Sequence, residues 1–418
     1  MITPSFSLTA TERVLPSMAL DFTTASLDSR VTFTRSGNTA TVVNSSGDVA
    51  NINADLPRFD FDPLALTCKG LLIEESRTNT NLYSEDLSNV VWAKIASTVS
   101  LLSVTTPSGG SSAYKLIADA TNTVHYLDTG NFNTTAGTSY SKSLFVKAAE
   151  FSRIQMQFSP TGFTSAQLVT FDLVAKTATV NAGTPTATIT EFKNGWFRCT
   201  MTAAATVTIV AVGNQIRLVN NSGSTSFAGN AVDGLFIWGV QIEAGAFPTS
   251  YIPTTASQVT RTADTATMTG TNFSSWYNAS EGAFVASSVL SRQSNAGATA
   301  IFSANDNTAA NLINCFYRAS GALGSNIFAA TVSQFDQTPL GVTAANTIVN
   351  IGVAYKLNDS VSYASGTIQT IDTTVTVPTV NQLQFGFTPT GAYLNGYVRS
   401  LRFYKQRILN AEGQAFSK

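Results

Sequence analysis

The sequence predicts an all-β protein of tandem β-sandwiches behind an N-terminal region, and three observations lead there. Apolar and small polar residues alternate with period two in "SYSKSLFVKAA", "RIQMQFS", "QLVTFDLVAKTATV", "WFRCTMTAAATVTIVAV" and "GLFIWGVQIEAG". These are half-buried strands, rich in the β-branched and aromatic side chains a pleated surface favours. Turn formers such as "PSGG" at 107, "KNG" at 193 and "NNSGS" at 220 interrupt them at intervals of roughly ten residues, the spacing of a sandwich or barrel. Helical periodicity is almost absent.

At 418 residues the chain exceeds what one core serves, so two or three domains are expected. Only 12% of residues are charged, against roughly 25% in typical soluble domains, and the formal net charge is −1. Neither nucleic acid nor an anionic lipid surface would find an electrostatic footprint here. Cys68, Cys199 and Cys315 stand far apart and the chain has a single histidine, which argues against a zinc site and for buried free thiols. The start, "MITPSFSLTATERVLPSM", lacks the pattern of a secretory signal, and the most apolar run, "AAATVTIVAVG", is too short and too rich in threonine to span a bilayer. Synthesis in a cytoplasm without membrane insertion is the expectation.

Taken in order, residues 1–80 form the N-terminal region. In "LPRFDFDP", Asp60 and Asp62 share a strand face, but no tight Gly-containing loop follows, so a solvated face is preferred to a calcium site. In "GLLIEESRTNTNLYSED" (70–86), Glu74 and Glu75 are neighbours on a strand and point to opposite faces, so they cannot act as a catalytic carboxylate pair. Glu75 and Arg77 lie on one face and are expected to pair, making Glu74, Glu75 and Arg77 a structural joint. The middle sandwich covers 81–256. Trp92, Trp196 and Trp238 sit in its alternating segments and read as core, and His125 has no G-x-S-x-G elbow to serve. Prolines 248 and 253 and the polar run to 270 mark the exit into the last sandwich, 257–418. There, "SANDNTAAN" (303–311) is a weak calcium motif. "LNAEGQAFSK" reads as a short helix capped by Asn410, with Glu412 in its first turn. No catalytic group, cofactor or metal is expected.

Three segments, "GLLIEESRTNTNLYSEDLSNVVWAK", "GLFIWGVQIEAGAFPTSYIPTTASQVTRTAD" and "NFSSWYNASEGAFVAS", resemble a group of tailed-bacteriophage virion proteins described as tail fibres, head fibres or spikes. "FDLVAKTATV" and "ITEFKNGWFRCTMT" match the same pattern, and the resemblance covers roughly residues 55–418. It implies that 81–256 is a jelly-roll carbohydrate-binding-like domain and that 257–418, closing on "LNGYVRSLRFYKQRILNAEGQAF", is a concanavalin/laminin-G-like sandwich. It also implies a non-enzymatic virion structural protein, with residues 1–80 attaching it to other virion proteins and the sandwiches meeting a host cell-surface glycan. Sugars stack on aromatic faces, and Tyr126, Trp276 and Tyr277 lie among amides, so these three are the candidate glycan-binding residues. The alternatives are a tailspike-type depolymerase, whose usual rung periodicity the sequence lacks, and a purely architectural virion protein. Scarce charge favours an oligomer, and the likeness to phage fibres suggests a homotrimer.

Overall fold

Period-two alternation becomes strand after strand in the computed structural model, which describes residues 15–37, 40–128, 132–291 and 297–418. Residues 1–14 of the stretch read above for a leader and for attachment lie outside the described residues. The chain separates into two compact units, one of residues 23–25 and 33–265, the other of 1–22, 26–32 and 266–418. The expected boundaries at 80 and 256 both fall inside the first of these.

The unit of residues 33–265 is a jelly roll of two antiparallel sheets. One is ordered Thr186–Glu191, Trp196–Ala204, Ser139–Ala148, Gly234–Ala244, Ser112–Ala118, Ser97–Ser103. The other is ordered Thr177–Ala182, Gln167–Asp172, Arg153–Phe158, Asn214–Val219, Tyr126–Asp128, Ala93–Ile95. The five alternating segments supply strands of these sheets, except that the end of "WFRCTMTAAATVTIVAV", Ile209–Val212, pairs Phe132–Thr134 in a separate two-stranded sheet. Between them lies a core of Leu144, Val146, Ile154, Met156, Phe158, Phe171, Cys199, Ile216, Leu235 and their neighbours. Trp92 belongs to it, and Trp196 and Trp238 fill an adjoining cluster with Phe145 and Tyr251. The turn after Glu191 forms because Asn194 and Gly195 both take left-handed backbone angles. Residues from the N-terminal region are built in: Ala40–Val43 pairs Val49–Ile52, and Phe59–Phe61 pairs Cys68–Ile73.

The second unit is a sandwich as well. One sheet runs Thr367–Ile368, Val361–Ala364, Ile348–Lys356, Glu281–Leu290, Gly396–Tyr404, and Met18–Asp21 pairs with the last of these through Met18 opposite Phe403. The other runs Thr265–Thr269, Gln382–Phe385, Thr299–Asn305, Leu312–Tyr317, Ala322–Ala329, Val332–Val342. The described part of the first eighty residues therefore contributes strands to both units. Their alternation was too short to announce which sheet each would join. The closing helix is Asn410–Phe416, but Leu409 is its N-cap. Glu412 accepts from the Leu409 N–H (2.8 Å), while Asn410 Oδ1 accepts from Arg407 (2.7 Å).

Candidate functional site

Glu74 follows the strand Cys68–Ile73 into the protein, where its carboxylate accepts from Arg58 Nη1 (2.7 Å), Ser250 N (2.9 Å) and Ser250 Oγ (2.7 Å), with Arg261 at 3.4 Å. Arg58 also holds Asp264 through two nitrogens, and Asp264 accepts from the Glu74 N–H (2.9 Å). Arg35 completes the group, 3.7 Å from Asp264. All five side chains are buried. Burial works to raise the Glu74 carboxyl, but Arg261, Arg58 and Ser250 outweigh it and hold it at about 2. Glu75 turns the other way and pairs with Arg77, whose guanidinium also reaches the Ala244 carbonyl and lies 5.0 Å from the Phe247 ring centroid. Arg35, Arg58, Arg261 and Asp264 were not singled out from the sequence. They are spread from residue 35 to residue 264; Arg58 lies in "LPRFDF", Arg261 and Asp264 in "VTRTAD", and Arg35 in neither. Every carboxylate in this group is saturated by guanidinium and N–H donors, an arrangement that braces backbone and leaves nothing to transfer a proton to a substrate.

Asp60 and Asp62 do not form a solvated face. Asp60 is buried, accepting from Val43 N (2.7 Å) and Lys69 Nζ (3.2 Å), because Phe59 and Phe61 take the other face of that short strand. Asp62 closes a turn by accepting from the N–H groups of Leu64 (2.9 Å) and Ala65 (2.8 Å). In the 303–311 loop, Asp306 is occupied by Thr308 and Asn311. Among the described residues no group of three or more His, Cys, Asp or Glu side chains is placed to hold a metal ion. His125 is buried, with its ring nitrogens at the carbonyl oxygens of Ala96 (2.5 Å) and Phe227 (2.8 Å).

The three candidate aromatics separate. Trp276 is 3% exposed, stacked edge-on against Phe273 and Phe403, with its N–H donated to the Asn272 carbonyl (2.7 Å). It is core, not the exposed ring expected; the amides around it in sequence say nothing of Phe403, which arrives from the far end of the chain. Tyr277 stacks on Phe273 beside it, and burial lifts its hydroxyl to about 12.

Tyr126 lies elsewhere, on the jelly roll's second sheet. Ile154, Met156, Phe158, Phe171, Ile216, Leu218 and Leu127 on that sheet are buried in the core, so alternation sends their neighbours to the opposite face. There, register places Tyr126, Arg217, Gln155, Thr170 and Thr179 side by side on five successive strands. Asp128, Gln215 and Gln157 form the next row. Arg217 donates to Gln215 Oε1 (2.8 Å) and Gln155 Oε1 (3.4 Å), and Gln155 donates to Thr170 Oγ1 (3.0 Å) and Asn181 Oδ1 (3.2 Å). Burial weakens the proton affinity of the Arg217 guanidinium, which Tyr126 partly restores. Gln157 is 8% exposed, and its Oε1 is buried without a hydrogen-bond partner among the described residues. Buried acceptors are rarely left so. An aromatic ring, a guanidinium and a ladder of amides on one face can stack a sugar ring and bond its hydroxyls.

The chain matches no model of a known protein family, and no curated protein matches it. Solved structures align over parts of it. The CBM40 of the Ruminococcus gnavus IT-sialidase, bound to α2,3-sialyllactose, aligns with 34% of this chain and 84% of its own at 9% identity, with a TM-score of 0.29. The NanB sialidase of Streptococcus pneumoniae aligns with 36% of this chain and 26% of its own at 15% identity and TM-score 0.30. A SAP-like pentraxin from Limulus polyphemus aligns with 33% and 70% at 10% identity and TM-score 0.26. Alignments of this extent leave the fold of each unit to be read from its own sheets.

Proposed function

We propose that this protein is a non-catalytic glycan-binding protein, and that it serves as an appendage of a tailed-phage particle contacting a host-surface glycan. The observation that carries glycan binding is the Tyr126–Arg217–Gln155 row with the buried, unpartnered Gln157 acceptor beside it. The place on a virion, and partners among other virion proteins, rest on the resemblance of segments 70–94, 234–264 and 272–287 to phage fibre proteins. A glycan array probed with the whole chain and with Tyr126→Ala and Arg217→Gln tests the binding. At least one glycan should bind the parent and lose about tenfold or more in affinity in each variant, as loss of a stacking ring or charge-assisted hydrogen bonds implies. Unchanged binding in both variants would remove this face from consideration. Incubation with host polysaccharide should release no reducing ends; cleavage would favour the depolymerase alternative.

A further inference from the structure

The second unit carries a polar sheet face of its own. In the sheet that holds Leu312–Tyr317 and Ala322–Ala329, Ile313, Cys315, Ile327 and Phe335 are buried toward the core. The alternate positions form a cross-strand row, Gln384, Ser303, Asn314, Asn326 and Asp336, on five neighbouring strands. At one end of the row Asn305 Nδ2 donates to Gln384 Oε1 (3.0 Å) and Ser303 Oγ (2.8 Å), so those acceptors are engaged. At the other end Arg318 pairs with Asp336, donates to Thr338 Oγ1 (2.8 Å), and lies 5.1 Å from the Phe316 ring centroid. Between these satisfied ends sit two carboxamides that are not satisfied. Asn314 is 6% exposed, Asn326 is half-buried, and the Oδ1 atoms of both are buried with no hydrogen-bond partner among the described residues.

We infer that Asn314 and Asn326 form a binding site for a neutral hexopyranosyl glycan, separate from the jelly-roll face. Directly opposite residues on antiparallel strands have β-carbons about 5 Å apart, so the two carboxamides stand side by side. Each carboxamide carries an acceptor and two donors, and each sugar hydroxyl both donates and accepts, so adjacent hydroxyls of a pyranose match the pair group for group. The charge balance favours a neutral sugar: Arg318 and Asp336, which the row brings beside the amides, neutralise each other. A pyranose that places two hydroxyls on the pair satisfies both acceptors at once from one rigid ring.

The test uses the whole chain and the methyl glycosides of glucose, galactose and mannose, with methyl glucuronide as the charged comparison. Side-chain amide resonances, assigned with Asn314→Ala and Asn326→Ala, report the site itself. Both pairs of amide signals should shift saturably with at least one neutral glycoside. Affinity for it should fall about tenfold in the double variant. Silence of both amides toward every neutral glycoside, or a response to the glucuronide alone, overturns the inference. If the double variant does not fold, the shifts in the parent and in Asn326→Ala decide. Should the backbone signals of Gln155 and Arg217 move while these amides stay still, the jelly-roll reading survives and this one fails.

Discussion

Two guanidiniums reach Glu74 where water does not, so replacing it with glutamine leaves Arg58 and Arg261 short of a counter-charge. Breaking a buried pair from one side costs about 3–5 kcal/mol. Glu75 is partly exposed and its pairing with Arg77 is worth little beside that, about 1 kcal/mol at most. Denaturant unfolding should therefore show Glu74→Gln several-fold more harmful than Glu75→Gln. The Glu74 carboxyl titrates at about 2 in the folded protein, below its ordinary 4.5. Its stabilisation is thus complete above about pH 4.5 and is lost as pH falls toward 2. Acid titration of unfolding, parent against Glu74→Gln, should show that step only in the parent. Lys142 works in the opposite sense. It is buried between the jelly-roll sheets, donates to the Gln215 carbonyl (3.0 Å), and burial drives its ammonium down to about 7 against the pull of Asp128. From about pH 7 to its ordinary 10.5 the unfolded chain holds a proton that the folded one has released, so this residue makes stability rise with pH across that window. Lys142→Met should be more stable than the parent at pH 7, with the gap narrowing toward pH 10.

Gly245 shows how an element's end is fitted to the joint. Its φ is +149°, a region L side chains avoid, and a β-carbon there would overlap the Arg77 guanidinium. Gly245→Ala should cost more than about 2 kcal/mol by melting, through backbone strain and displacement of Arg77 together. At this scale the sequence was informative wherever structure is periodic. "RIQMQFS" announces that Ile154, Met156 and Phe158 face one way and Gln155 and Gln157 the other, and the sheet obeys. What alternation cannot carry is register between distant strands. Nothing near Tyr126 says that Arg217 will stand beside it, and nothing near Asn314 says that Asn326 and Ser303 flank it. The same limit hid the burial of Trp276, whose packing partners Phe284 and Phe403 come from other strands. The charged group around Arg58 is the extreme case. Each member is an ordinary strand or loop residue until four segments meet.

Over the whole molecule, 12% of residues are charged and the net charge is −1, which gives copies little electrostatic repulsion. Ser97–Ser103 is the last strand of its sheet path and leaves Leu101 and Leu102 exposed. An edge strand with exposed leucines and no lysine to guard it is covered most simply by association. Light scattering should give a mass near three chains of 44.1 kDa that persists in high salt; a monomer throughout the micromolar range would contradict it. Met18–Asp21 has a different kind of consequence, one of timing. It pairs with Gly396–Tyr404, so a ribosome delivers one partner roughly 375 residues before the other. At bacterial and eukaryotic elongation rates the interval is roughly 20 to 80 seconds. The jelly roll, nearly all of whose residues lie between 33 and 265, is free to close during that wait. The other sandwich is not, and Met18–Asp21 remains an open template until Gly396–Tyr404 emerges. A message broken before codon 396 would yield a chain with one finished unit and one exposed edge, the form that proteases and chaperones recognise first.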